Sequence, residues 1–235
     1  MALPVINAAT YETNIPSTGR AVKYRPYLVK EEKILMIALE SQDQKAVLRA
    51  VKDVIKSCVF DDIDINNLAM FDVEHLFIAL RSKSVGEGID VNIKCEECDG
   101  ENQQSVDLNL IEPPTIEEDN KNIMLTDNVG VTMRYPSYSD MNNADAEELQ
   151  SVKGAMELMT TCIDSVFDEE SVHKGSDQSK KEMTEFVENL NSDQFKKISD
   201  WFEKMPSISH TIVFDCISCK AHNEQELRGL QSFFT

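Results

Sequence analysis

Two pairs of cysteines are the side chains in this sequence best suited to joint chemistry. Cys95 and Cys98 form one Cys-x-x-Cys turn, and Cys216 and Cys219 form another. Each turn points two thiolates the same way, so two turns can supply the four sulfurs of a tetrahedral zinc site. We therefore expect one structural zinc ion held by Cys95, Cys98, Cys216 and Cys219. Four thiolates would close the coordination shell and leave no open position for catalysis.

The two pairs are more than a hundred residues apart, whereas a usual zinc ribbon separates them by roughly fifteen to twenty. A shared zinc would therefore tie the middle of the chain to its C-terminal end. Three other states of these thiols stay open: a thioredoxin-like redox pair, two separate disulfides, and buried cysteines without metal. His222 follows Cys219 by three residues and could replace a cysteine as ligand.

The residues next to the cysteines set the backbone of each turn. Gly100 stands two places after Cys98, where we expect it to supply a positive φ. The second turn contains no glycine, so the sequence specifies its geometry less well. The remaining cysteines, Cys58 and Cys162, lie in apolar stretches with helical spacing, which predicts two buried small hydrophobic side chains.

The chain is strongly acidic, with 23 Lys and Arg against 42 Asp and Glu and a net charge of −19. Nucleic acids and anionic membranes bind mainly to cationic side chains, so neither is an expected partner. No run of roughly eighteen apolar residues and no signal-peptide pattern occurs, which predicts no membrane span and no export. Phosphate-loop, dinucleotide-binding and HExxH motifs do not occur either, and we expect no enzymatic activity.

Hydrophobic spacing predicts an α+β fold with a mainly helical body. Apolar residues recur every three and four positions over about 29–85 and 137–205, as they do in amphipathic helices. The second of these regions is predicted to begin with one long helix after Ser137 that continues through Cys162 and Ile163. A polar stretch over 168–180 predicts a surface loop.

Alternating apolar and polar residues predict β-hairpins. One hairpin carries Cys95 and Cys98 at its tip, and strands also flank the turn of Cys216 and Cys219. The zinc-ribbon-like part would combine about 89–111 with 207–235, as a split module inside a single α+β domain over 29–235. A further hairpin is expected across Asp127-Asn128, from Ile123–Leu125 to Val129–Tyr135.

The two ends of the chain look different from its body. Residues 1–28 are polar and interrupted by prolines, which predicts an extended N-terminal arm, with a strand at most over Ala21–Leu28. A basic cluster in this region is either a solvated face or a docking surface for an acidic partner: Arg20, Lys23, Arg25, Lys30 and Lys33. Leu230, Phe233 and Phe234 make an apolar tail that we expect to be docked.

Seven stretches of the sequence carry a resemblance that spans nearly the whole chain. In order they are Lys23–Leu39, Phe71–Gly86, the Cys95 turn, Met133–Ser137, Phe195–Pro206, the Cys216 turn and Leu230–Phe234. Together they resemble the baseplate proteins of T4-like contractile-tailed phages, the family of baseplate hub subunits and hub assembly proteins.

The resemblance implies a non-enzymatic protein that binds other phage baseplate or hub proteins while virions form. Its expected location is the cytoplasm of the infected bacterium, either as an assembly factor or as a subunit that enters the tail baseplate. Two other functions stay open from the cysteine turns alone: a zinc-ribbon regulator that binds transcription machinery, and a CxxC thiol oxidoreductase. The sequence leaves the oligomeric state and the direct partner undetermined.

Overall fold

The computed structural model describes residues 8–116, 121–144, 151–229 and Ser232. These residues form seven α-helices and ten β-strands in small sheets, so the predicted α+β class is confirmed. They group into two compact units. Unit 1 combines Met1–Ile65, Phe71–Thr115 and Ser207–Thr235, and unit 2 combines Asn66–Met70 with Ile116–Pro206. The single domain expected over 29–235 stays a prediction.

Unit 1 contains two helices and nearly all of a third: α1 (Val29–Glu40), α2 (Gln44–Cys58) and α3 (Met70–Ser84). This is the helical block that the apolar spacing predicts. One stripe of α2 is fully buried through Val51, Val54, Ile55 and Cys58. Most of α3 is buried, and its side chains supply much of the core of this unit.

An antiparallel hairpin precedes these helices, where the sequence suggested an extended arm. Strand β1 (Tyr11–Asn14) pairs with β2 (Ala21–Tyr24), so the prediction of an extended arm was wrong for this part of the chain. The turn is closed at Gly19, which has a φ of +67° and donates its N–H to the Ile15 carbonyl over 2.8 Å. Residues 1–7 of the expected arm lie outside the described residues, as do Leu230, Phe233 and Phe234 of the tail that we expected to be docked.

The hairpin is fixed to α3 by polar contacts that hydrophobic patterns do not reveal. The Ser17 backbone N–H and hydroxyl donate to the Asp72 carboxylate over 2.8 and 2.6 Å. Thr13 bonds to the His75 ring over 2.9 Å. Asp72 has no exposed surface, and a buried carboxylate needs donors of this kind to remain stable. These contacts explain why a polar, proline-containing segment folds.

Two further hairpins of unit 1 have the same length. Strand β3 (Gly88–Lys94) pairs with β4 (Glu101–Asp107), as predicted around the first cysteine turn. Near the end of the chain, Ser209–Asp215 pairs with His222–Arg228, and these strands are β9 and β10. Every second residue of β3 is buried, namely Ile89, Val91 and Ile93. The alternation gives each hairpin one apolar face.

Unit 2 is built on a four-stranded antiparallel sheet in chain order. Its strands are β5 (Asn122–Met124), β6 (Gly130–Met133), β7 (Ile163–Phe167) and β8 (Val172–Lys174). The β5–β6 pair is the hairpin predicted across Asp127-Asn128. Both β7 and β8 lie where the sequence suggested a helix end and a loop.

The prediction of one long helix after Ser137 was wrong, because the described part of this region, 137–144 and 151–163, contains two separate short helices. Helix α4 (Tyr138–Asn143) ends before helix α5 (Val152–Thr161), which Ser151 caps by accepting the Gly154 N–H. Leu149, which was assigned to the long helix, lies outside the described residues. The chain leaves the helix at Cys162 because Ile163–Phe167 pairs with β6, and sheet pairing overrides local helical spacing.

Two helices complete unit 2, α6 (Lys180–Glu188) and α7 (Ser192–Glu203). The aromatic stripe of α7 packs as core, as its spacing predicts. Trp201 is 6% exposed and stacks on Tyr135 at 5.5 Å between ring centroids. Within the described residues, no helix has both the length and the apolar character needed to cross a membrane.

We expect Trp201→Ala to lower the free energy of unfolding of unit 2 by about 3–5 kcal/mol, because it opens a large cavity beside Tyr135. Chemical denaturation measures this change. It is followed by circular dichroism because Trp201 is the single tryptophan of the chain, so the variant has no tryptophan fluorescence. Val152→Ala is the matched control, because Val152 is 80% exposed. Equal stability of the two variants would contradict a core role for Trp201.

Candidate metal centre

The two cysteine turns share one backbone geometry. In the first turn, the Cys95 N–H donates to the Gly100 carbonyl over 2.9 Å, and the Asp99 N–H donates to the Cys95 carbonyl over 3.0 Å. In the second turn, Cys216 bonds to Ala221 and Lys220 bonds to Cys216, each over 2.9 Å. Hairpins β3–β4 and β9–β10 therefore present their cysteines in the same way.

The positive φ in each turn belongs to the residue directly after the second cysteine. Asp99 has a φ of +55° and Lys220 a φ of +62°. The expectation that Gly100 supplies this conformation was therefore wrong. A Cβ on Gly100 would lie 3.1 Å from the Cys98 Sγ and 3.1 Å from the Ser218 Oγ. A side chain at this position would crowd both turns, so the space there favours glycine.

The four sulfurs converge, as the sequence analysis expected. The Sγ atoms of Cys95 and Cys219 are 3.6 Å apart, and those of Cys98 and Cys216 are 3.7 Å apart. All four lie within 4.8 Å of one another. A tetrahedron with Zn–S bonds of about 2.3 Å has sulfur–sulfur edges of about 3.8 Å. A disulfide requires about 2.05 Å, so the sulfurs are too far apart for disulfides, and their spacing is compatible with a metal site.

Two buried asparagines join the turns to each other. Asn102 donates its Nδ2 to the carbonyl of Gly100 over 2.7 Å, and its Oδ1 accepts the N–H of Ile217 in the opposite turn over 2.9 Å. Asn223 repeats this arrangement in the other direction. Its Nδ2 donates to Ala221 over 2.8 Å, and its Oδ1 accepts the Glu96 N–H over 3.0 Å.

The asparagines are 1% and 3% exposed, and their four hydrogen bonds are partly buried. Sequence reasoning based on cysteine spacing missed both of them. A signal was present: each second cysteine is followed four residues later by asparagine, as Cys98 to Asn102 and Cys219 to Asn223. The repeated unit is therefore Cys-x-x-Cys-x-x-x-Asn, and its polar position is as informative as its thiols.

The electrostatics of the site favour a cation. The backbone N–H of Cys219 is the main cause that lowers the pKa of Cys216 to about 6. Burial acts to raise the pKa of Cys95, but the N–H groups of Glu97 and Cys98 outweigh it, so the pKa is lowered. The Gly100 N–H lowers the pKa of Cys98, yet the sulfurs of Cys219 and Cys216 raise it to about 12.

The raised pKa of Cys98 means that this thiol keeps its proton near neutral pH unless a positive charge lies beside it. A divalent cation would replace the thiol protons and accept all four thiolates. The donor set consists of four soft thiolate sulfurs, a set that suits zinc in closed structural sites. The arrangement is compatible with a metal site, and zinc itself stays a prediction at this point.

The other candidate side chains lie apart from the cluster. His222 bonds through its Nδ1 to Asp215 over 2.9 Å and is 70% exposed, so it does not replace a cysteine in the group of four. Cys58 and Cys162 are fully buried, as expected. Desolvation raises the pKa of Cys58 to about 11 and that of Cys162 to about 12, which makes both thiols unreactive.

We expect Asn102→Ala and Asn223→Ala each to lower the free energy of unfolding by about 1–3 kcal/mol, because each removes two hydrogen bonds and leaves a partly buried backbone N–H of the opposite turn unpaired. Thermal or chemical denaturation measures the change. Asn92→Ala is the matched control, since Asn92 lies on the exposed side of β3. An effect from only one of the two asparagines would contradict the equivalence of the turns.

Comparison with known proteins supports the resemblance drawn from the sequence. The family model described as T4 bacteriophage base plate protein matches residues 8–235, nearly the whole chain. The match includes both cysteine turns and both compact units. No curated protein and no solved structure matches the chain. On the strength of the family match, the chain belongs to the T4 bacteriophage base plate protein family.

Proposed function

We propose that this protein is a non-enzymatic component of the phage tail baseplate hub, or an assembly factor of that hub, that acts by binding other tail proteins. The observation that carries the proposal is the family match over residues 8–235. Membership in a family of baseplate proteins favours a structural role over a catalytic one. The transcription and redox alternatives rest on the cysteine turns alone, and the family match gives neither of them support.

We further propose that Cys95, Cys98, Cys216 and Cys219 bind one structural zinc ion. Support comes from the sulfur spacing, the four-thiolate donor set and the N–H groups that lower the pKa of two of the thiols. Bound there, zinc would link the β9–β10 hairpin to β3–β4. The four sulfurs would fill its coordination, so the ion would stabilise structure and would not bind substrate.

A brace of this kind suits a protein that works by binding. Two-stranded hairpins are marginally stable alone in water, so each hairpin needs the other or a metal to hold its shape. A fixed hairpin pair presents the same surface to a partner each time and loses little conformational entropy on binding. We propose other phage baseplate proteins as those partners, in the host cytoplasm during assembly and, in the case of a hub subunit, also in the tail.

Zinc binding is tested by native mass spectrometry of the purified protein. We expect one zinc ion per chain in the unmodified protein and none in Cys216→Ser, because three thiolates and a hydroxyl bind zinc far more weakly. Cys58→Ala is the control and should keep its zinc, since Cys58 lies outside the cluster. Full zinc occupancy in Cys216→Ser would contradict the four-cysteine site.

The role in assembly is tested by removing the gene from the phage. We expect infected cells to produce particles without complete baseplates, and electron microscopy of the lysate shows this directly. Mass spectrometry of finished wild-type particles then distinguishes a hub subunit, which is present, from an assembly factor, which is absent. Normal tails in the absence of the protein would refute the proposed function.

A further inference from the structure

Helix α1 leaves much of its apolar surface exposed. Its buried stripe is narrow and consists of Glu31, Leu35 and Ala38. On other sides, Val29 is 79% exposed, and Met36 and Ile37 are each 57% exposed. A helix that is apolar on opposite sides is typical of one covered on both. In α1, one of those sides has no cover within the described residues.

The helical period defines this outer face. At 3.6 residues per turn, Val29, Lys33, Met36, Ile37 and Glu40 project to the side of α1 opposite Leu35 and Ala38. We call these five residues the outer face of α1. Lys33 and Glu40 are both exposed, and they lie two turns apart, too far along the helix to pair with each other.

The order of charges on the outer face makes it self-complementary in one orientation. Lys33 lies three residues before Met36, and Glu40 lies three residues after Ile37. When two copies of α1 cross antiparallel at Met36 and Ile37, each Lys33 faces the Glu40 of the other copy. In a parallel crossing, Lys33 would face Lys33 and Glu40 would face Glu40. Charge complementarity therefore selects the antiparallel pair.

We propose that the outer face of α1 binds the same face of a second copy of this chain, in an antiparallel pair with two-fold symmetry. A two-fold pair brings one patch against itself, so each favourable contact occurs twice. Two Lys–Glu pairs then flank an apolar centre of four side chains. This inference goes beyond the proposed function, because it requires neither zinc nor any other baseplate protein.

The pair is expected to be weak in isolation. A helix of 12 residues is about 18 Å long, so the contact is smaller than the standard interface of about 800 Å² per partner. The net charge of −19 on each copy also opposes association. We therefore expect a monomer–dimer equilibrium in the micromolar range, which sedimentation equilibrium at about 0.15 M ionic strength resolves.

Reversal of the charges tests both the partner and the orientation. Lys33→Glu alone, or Glu40→Lys alone, places like charges opposite each other and should weaken dimerisation at least about tenfold. The double variant with Lys33→Glu and Glu40→Lys restores both pairs in a self-complementary dimer and should recover the original affinity. All of these side chains are exposed, so we expect each variant to fold.

A second variant tests the apolar centre. Met36→Glu should abolish dimerisation, whereas Val172→Glu should leave it unchanged, because Val172 is 66% exposed but belongs to strand β8 and not to α1. Three results would overturn the inference: a monomer at every concentration, a dimer insensitive to Met36→Glu, or a double charge variant as weak as the single ones. A monomeric protein whose α1 variants fail to complement the phage would assign this face to another baseplate protein instead.

Discussion

The docking of two distant hairpins is the constraint on which unit 1 depends. The chain leaves this unit after Thr115 and returns to it at Ser207, so its last strands must find a partner formed much earlier in the sequence. Neither hairpin has more than two strands, and such pairs are marginal alone. Their tips are joined by two hydrogen bonds to buried asparagines, and four sulfurs of the two turns lie within 4.8 Å of one another.

The asparagines and the cysteines have different tasks at this junction. The hydrogen bonds of Asn102 and Asn223 are made within the protein and pair backbone groups of one turn with the other. They place the sulfurs before any cation arrives. The sulfurs of Cys219 and Cys216 raise the pKa of Cys98. A positive charge beside these sulfurs would favour the thiolate form of Cys98. Because the four sulfurs already lie close together, a cation at this site would require little rearrangement, which favours affinity.

The family match, the charge and the exposed surface of α1 all bear on how this protein binds others. Family membership identifies a baseplate protein, and its acidic charge favours solubility and partners with basic patches. Within the basic cluster, Arg25 forms an ion pair with the buried Glu31, with 2.9 Å between a guanidinium nitrogen and Oε1. Lys33 is exposed on α1. The apolar outer face of α1 is therefore more distinctive as a binding surface than the basic cluster is.

The sequence by itself determined the features that depend on neighbouring residues. Apolar spacing gave the helices α1, α2 and α3, alternation gave the cysteine hairpins, and the repeated Cys-x-x-Cys unit gave the metal-site candidates. Tertiary structure decided the rest. The N-terminal segment became a hairpin because Asp72 and His75 of α3 bind it, and Ile163 became part of a strand because β6 offered pairing. The asparagine links also required both turns to meet, since each hydrogen bond joins groups more than a hundred residues apart. Local patterns record the preferences of a segment, whereas these choices depend on a partner that is distant in the chain.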